Sequence, residues 1–154
     1  MKLTEILNED LVISNLQSDE KTGVLDEMTR FMQEKNLIND REVVLNALIE
    51  RENLGSTGIG FNVAIPHAKV KEIQKMTAVF GRSTKGIEFD SLDQEPVHLI
   101  CLLIAPENST GPHIKALARI SRLLKDDSLR NDLMKASDSS EMFKITKLKD
   151  DGLG

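Results

Sequence analysis

One histidine, His67, closes a stretch dense in glycines, hydroxyls and β-branched residues: Gly55-Ser56-Thr57-Gly58-Ile59-Gly60-Phe61-Asn62-Val63-Ala64-Ile65-Pro66-His67. Glycines admit φ > 0 and let backbone N–H groups come close to an anion. Val63-Ala64-Ile65 reads as a short buried strand. Pro66 fixes φ and lacks an N–H, so pairing should stop near it and leave His67 at a strand end. A stiffly held imidazole beside a glycine-rich loop suits phosphate chemistry, although a structural histidine fits the same local pattern. Ser56, Thr57 and Gly58 are the candidate phosphate donors of the loop, and turn geometry alone also accounts for the two hydroxyls.

Two other residues could share that chemistry. Gly111-Pro112 opens a helix that places His113 at its second position. The first turn of a helix carries orphan N–H groups and the positive end of the dipole, which favours anions. Arg51 closes a helix just before the loop, within Glu50-Arg51-Glu52. It reads either as part of a solvated charge cluster or as a planar fork for phosphate oxygens. His98 precedes an apolar run and reads as a strand-edge residue. Cys101, inside Leu99-Ile100-Cys101-Leu102-Leu103, reads as inert core filler with a raised pKa. The histidines lack metal-ligand spacing, so no metal is expected. The loop is neither a P-loop nor a dinucleotide fingerprint, because no Gly-Lys-Ser/Thr follows it and it does not open a helix after a strand.

The elements that must hold these groups fit one domain of 154 residues, long enough for a sizeable core. A hydrophobic fraction of 40% and a charged fraction of 29% are those of an ordinary globular chain. The net charge of −5 argues against a nucleic-acid or polybasic membrane surface, and Trp and Tyr are absent. A single cysteine excludes an internal disulfide framework and suggests a reducing, cytoplasmic setting. The N-terminus is too polar for a signal peptide, and the longest apolar run is too short for membrane insertion.

Along the chain, residues 11–16 read as a strand. Ser18 is the expected N-cap of a helix to about Lys35, striped by Val24, Leu25, Met28, Phe31 and Met32. Asn39 and Glu42 have capping-box spacing for a second helix that Gly55 should stop. Strands are expected at 63–65, at 76–82 before a turn at Gly86-Ile87, and at 97–104 as a central strand covered on both faces. The helix at His113 carries Ile114, Leu117, Ala118, Ser121 and Leu124 on one face. Shorter helices follow near 128–135 and 139–146, with the domain over 1–147 and a frayed tail at 148–154. Strands interleaved with helices make an α/β layered domain.

Arg51-Glu52, Gly55-Ser56-Thr57-Gly58-Ile59-Gly60 and Ala64-Ile65-Pro66-His67-Ala68-Lys69 resemble the enzyme IIA domain of the phosphoenolpyruvate-dependent phosphotransferase system, mannitol/fructose type, which includes the nitrogen-regulatory branch. Pro106, His113-Ile114-x-x-Leu117-Ala118-Arg119-Ile120 and Leu123-Leu124 agree, so the resemblance runs over nearly the whole chain. It implies a mixed, largely parallel sheet with helices on both sides. It implies phosphoryl transfer from the histidine-containing phosphocarrier protein to His67, and onward to an enzyme IIB. It assigns His113 as the second, unphosphorylated histidine and Arg51 as the phosphate-stabilising arginine, with no metal or other cofactor. Phe61-Asn62 stands where many members have Asn or His followed by Gly, and Gly111-Pro112 holds His113 more stiffly than usual. Phe61 and Ile114 are the expected docking residues, and Val63 is read as core. Two rival readings stand beside the carrier. One is a nitrogen-type regulator acting through phosphorylation-dependent binding of a target. The other is an anion-binding module without transfer.

Overall fold

The computed structural model describes residues 1–153, and Gly154 lies outside them. Six strands form one sheet: β1 (Val12–Ile13), β2 (Gly58–Gly60), β3 (Val63–Ala64), β4 (His67–Val70), β5 (Thr77–Ile87) and β6 (Val97–Pro106). Their order is β1-β5-β6-β3-β2, and β4 pairs with β6 beyond β3. The β1–β5, β3–β6 and β4–β6 pairs are parallel, while β5–β6 and β2–β3 are antiparallel. This is the mixed, mostly parallel α/β sheet that was expected. β6 lies at its centre and is buried at every position but His98 and Pro106. A strand covered on both faces gains from apolar residues at successive positions, so Val97–Ala105 shows no alternation.

Five α-helices flank the sheet: α1 (Lys21–Glu34), α2 (Arg41–Asn53), α3 (Thr110–Leu124), α4 (Asp127–Lys135) and α5 (Ser139–Gly152). α1 starts later than expected. Glu20 caps it, its carboxylate accepting the N–H groups of Thr22 and Gly23, because the N–H of Ser18 is held 3.0 Å from Oε1 of Glu27. At α2 the cap is Asp40, one residue beyond Asn39, accepting from Val43 N–H at 3.3 Å. In both cases a carboxylate supplanted a neutral cap, as the positive end of a helix favours. α5 runs through Gly152, across the segment expected to fray. Asp150 explains this: it is fully buried and accepts Nε–H of Arg119 at 2.8 Å and Thr4 N–H at 3.3 Å. β1 is only two residues long, because a 3-10 turn at Glu9–Leu11 uses the start of the expected strand.

The glycine-rich run is a hairpin. Gly60 pairs with Val63, and the two residues between them, Phe61 and Asn62, have φ of 59° and 62°. Two successive left-handed residues make the turn whose twist matches antiparallel strands, so a run whose composition reads as a glycine-rich loop closes as a hairpin. Asn suits this conformation and Phe does not. Asn62 also donates to the Pro96 carbonyl at 2.8 Å, while its own carbonyl accepts from His98 and Leu99 N–H. Gly86, expected in a turn, lies within β5 at φ 97°, in an irregular stretch between Arg82 and Ile87 that re-pairs at Ile87 with Val97.

Candidate functional site

β3 and β4 occupy successive parts of one edge of β6. Ala64 stands opposite Ile100, and His67 stands opposite Leu103. Between them the chain steps through Ile65-Pro66. Pro66 lacks an N–H, but its carbonyl accepts Leu103 N–H at 2.9 Å, so pairing resumes at once. His67 therefore opens a strand instead of ending one. The expectation from Pro66 failed because only the donor side of that residue is missing.

The same step turns the Ile65 carbonyl onto the His67 ring, 2.8 Å from Nδ1. A carbonyl only accepts, so Nδ1 carries the proton and the neutral ring presents its lone pair at Nε2. Burial holds the His67 pKa below its ordinary value. The Ile65 carbonyl opposes this, the Arg51 charge adds to it, and the Glu52 charge opposes it.

His113 reaches the same place from α3. Its ring centroid is 5.4 Å from that of His67, with the planes tilted by 59°. It is the fourth residue of α3 rather than the second, and its backbone N–H is bonded to the Ser109 carbonyl at 2.8 Å. The helix end is thus not the anion donor expected at this residue, and the side chain is the available group. His113 is 6% exposed, and its Nε2 is buried without a hydrogen-bond partner. Burial, then the nearby His67 and Lys69 charges, push its pKa down to about 4. α3 buries His113, Ala116, Ile120, Leu123 and Leu124. The expected face was rotated by about one residue, because small and apolar residues occur in both registers. Ile114 is consequently 61% exposed.

Both rings line an open depression with Ala47, Glu50, Arg51, Leu54, Ala68 and Lys69. Arg51 lies in the last turn of α2, and its Nη1 donates to the Gly55 carbonyl at 2.9 Å. Lys69 Nζ donates to Thr110 Oγ1 at 3.1 Å. The arrangement offers a neutral nucleophilic nitrogen, a second neutral imidazole, a guanidinium and an ammonium around one open space. Such a set can hold an anionic group and stabilise charge as that group is transferred.

Ser56, Thr57 and Gly58 do not line this depression. The Ser56 hydroxyl donates to the Phe89 carbonyl at 3.0 Å and accepts Gly58 N–H at 3.1 Å. Thr57 gives its N–H and its hydroxyl to the Glu52 carboxylate. Their donors are consumed by the hairpin's own packing. Phe61, 49% exposed, stacks its ring 5.0 Å from the Arg130 guanidinium. Val63 is core. Cys101 is buried in the central strand, which pushes its thiol up to about 12.

Residues 5–148 match the model of the family described as phosphoenolpyruvate-dependent sugar phosphotransferase system, EIIA 2. The chain belongs to this enzyme IIA family. It is 37% identical over 97% of its length to the fructose-specific EIIABC component of Bacillus subtilis, and spans about 24% of that protein. It is 35% identical to a nitrogen regulatory protein of Bradyrhizobium diazoefficiens, covering 96% of both chains. The crystal structure of nitrogen regulatory protein IIA-Ntr from Neisseria meningitidis matches with a TM-score of 0.85 and 32% identity, over 92% of this chain and 97% of that one.

Within this enzyme IIA fold the structure adds residues that the sequence reading passed over. Lys69 and Glu50 line the depression, and Leu54, 84% exposed, stands on its rim. Lys69 had a signal: two residues past His67 on a strand, it shares that histidine's face. Leu54 and Glu50 had none, because a helix end facing a distant strand is a tertiary fact. No helix among the described residues is long and apolar enough to cross a membrane.

Proposed function

We propose that this enzyme IIA chain carries a phosphoryl group on Nε2 of His67, as a cytoplasmic carrier. The observation that supports this most is the Ile65 carbonyl on Nδ1, which leaves Nε2 unprotonated on a ring that lines the open depression. The donor is a phosphohistidine of the histidine-containing phosphocarrier protein. Its P–N bond breaks as the Nε2 lone pair forms the new one, and Nδ1 keeps its proton throughout. Little covalent chemistry is left to the protein beyond positioning and charge stabilisation. Arg51 and His113 supply the latter, and an enzyme IIB then takes the group from His67. Phe61 and Ile114 are the docking residues of this reading: Ile114 is exposed on α3 one residue past His113, and Phe61 is exposed at the β2–β3 turn, against Arg130.

The test is incubation with labelled phosphoenolpyruvate and the two general proteins of the system. Label on the wild type and none on His67→Ala is expected, and undiminished label on that variant contradicts the reading. No label on any form would favour an anion-binding module. His113→Ala and Arg51→Ala should each transfer on the order of a hundredfold more slowly, the usual loss of about 2.7–4 kcal/mol for one preorganised donor.

A second reading is favoured by the end-to-end match to nitrogen regulatory proteins. Here phosphorylation of the same His67 controls binding of a target instead of feeding an enzyme IIB. Pull-downs with phosphorylated and unphosphorylated chain separate the two: a target retained by one form only supports regulation.

A further inference from the structure

Glu52 is 5% exposed, yet the chemistry above does not use it. Its carboxylate joins three segments. Oε1 accepts Thr57 N–H at 3.0 Å and lies 3.4 Å from Lys21 Nζ, at the start of α1, while Oε2 accepts the Thr57 hydroxyl. Lys21 is itself held, its side chain 17% exposed, its Nζ 5.1 Å from the Phe89 ring centroid and 3.8 Å from Asp90 Oδ2. Removing one partner from a buried, hydrogen-bonded charge pair costs far more than an exposed pair is worth, so this tether is stiff.

The tether controls the turn between Arg51 and the hairpin. Glu52's backbone carbonyl accepts Gly55 N–H at 3.0 Å, and its side chain fixes Thr57 two residues on. The Gly55 carbonyl, held between these points, is the one that takes the Arg51 guanidinium at 2.9 Å. We infer that Glu52, with Lys21 and Thr57, is a positioning residue that sets the Arg51 guanidinium for the phosphoryl group on His67. This rests on the reading of His67 as the acceptor. It gives the buried Glu-Lys-Thr cluster a task in transfer that core packing alone does not require.

Glu52→Gln keeps the shape and removes the charge. Three measurements judge it: transfer from the carrier protein resolved into kcat and KM, the His67 ring titration, and the Arg51 Nε–H resonance. The charged groups lining the depression with His67 are Glu50, Arg51 and Lys69, the neutral His113 is its titratable neighbour, and the Glu52 charge acts on His67 from outside that lining. The Glu52 charge opposes the depression of the His67 pKa, so the variant's ring should titrate lower. The expected result is a kcat lowered about tenfold, an unchanged KM for the carrier, a downward shift of the His67 titration and a moved Arg51 resonance. A folded variant with wild-type kcat, His67 titration and Arg51 resonance overturns the inference. So does a variant that is merely less stable and transfers normally below its melting point. If Glu52→Gln does not fold, Thr57→Val removes one donor to the carboxylate and is judged on kcat and the Arg51 resonance. Failure of the wild type to take label at all would overturn the functional reading instead. The titration and the Arg51 resonance would still decide whether Glu52 positions the arginine.

Discussion

The carbonyl of Ile65 selects which ring nitrogen of His67 is free, and burial keeps both imidazoles of the pair neutral at pH 7. This has a consequence for stability. His113 has a pKa near 4 when folded against an ordinary value of 6.5, so between those values the unfolded chain binds more protons. Stability from this residue is therefore present above about pH 6.5 and is lost as pH falls toward 4. A shift of that size is worth at most about 3 kcal/mol. Urea unfolding at pH 7 and pH 4.5 should show the wild type losing about 2 kcal/mol more than His113→Gln. Parallel losses would mean that His113 is not buried in the neutral form. At this scale the sequence was legible where chemistry is local: Pro66-His67 and the Arg51 helix end could be singled out. The roles of Ser56 and Thr57 could not, because their partners Phe89 and Glu52 are set by the folded hairpin.

The β2–β3 hairpin shows how an element can be hidden by its own composition. Two glycines and a non-glycine turn resemble a loop in one dimension, yet close packing is what demands the glycine at position 58. A Cβ on Gly58 would stand 2.3 Å from Ser91 Oγ and 2.9 Å from Ser91 Cα. The second contact is with backbone and cannot swing away. Gly58→Ala should cost about 1–3 kcal/mol, the range for forcing atoms into a packed site, measured as a lower urea midpoint at constant m. Wild-type stability in that variant would mean that the 88–95 loop is not held against the hairpin. Helices were legible from their apolar spacing, and their caps were missed by one or two residues because a nearby carboxylate outcompeted each neutral candidate. The register of α3 was not legible, since Ile114 and Ala116 are both acceptable to a core and only the elements packed around the helix decide between them.

For the whole molecule, the C-terminal helix is a fastening for the site. Asp150 on α5 pairs with Arg119 on α3, the helix that delivers His113. Asp150→Ala should lower stability by about 3–5 kcal/mol, as removal of one member of a buried pair does. A loss below 1 kcal/mol would return the end of α5 to the frayed tail that the sequence suggested. That tail is rich in charge, and nothing local reveals that one aspartate is buried 31 residues from its arginine. The α/β class and the central strand were legible because β6 is continuously apolar; the split of one edge between β3 and β4 was not. That split is what aims the Ile65 carbonyl at His67, and so the most direct measurement is the position of the phosphoryl group on the ring. Two-dimensional ¹H–¹⁵N correlation of the phosphorylated chain, kept at alkaline pH, distinguishes the two nitrogens. The phosphoryl group should sit on Nε2 of His67 with Nδ1 still protonated, and a phosphoryl group on Nδ1, or on His113, would contradict the account.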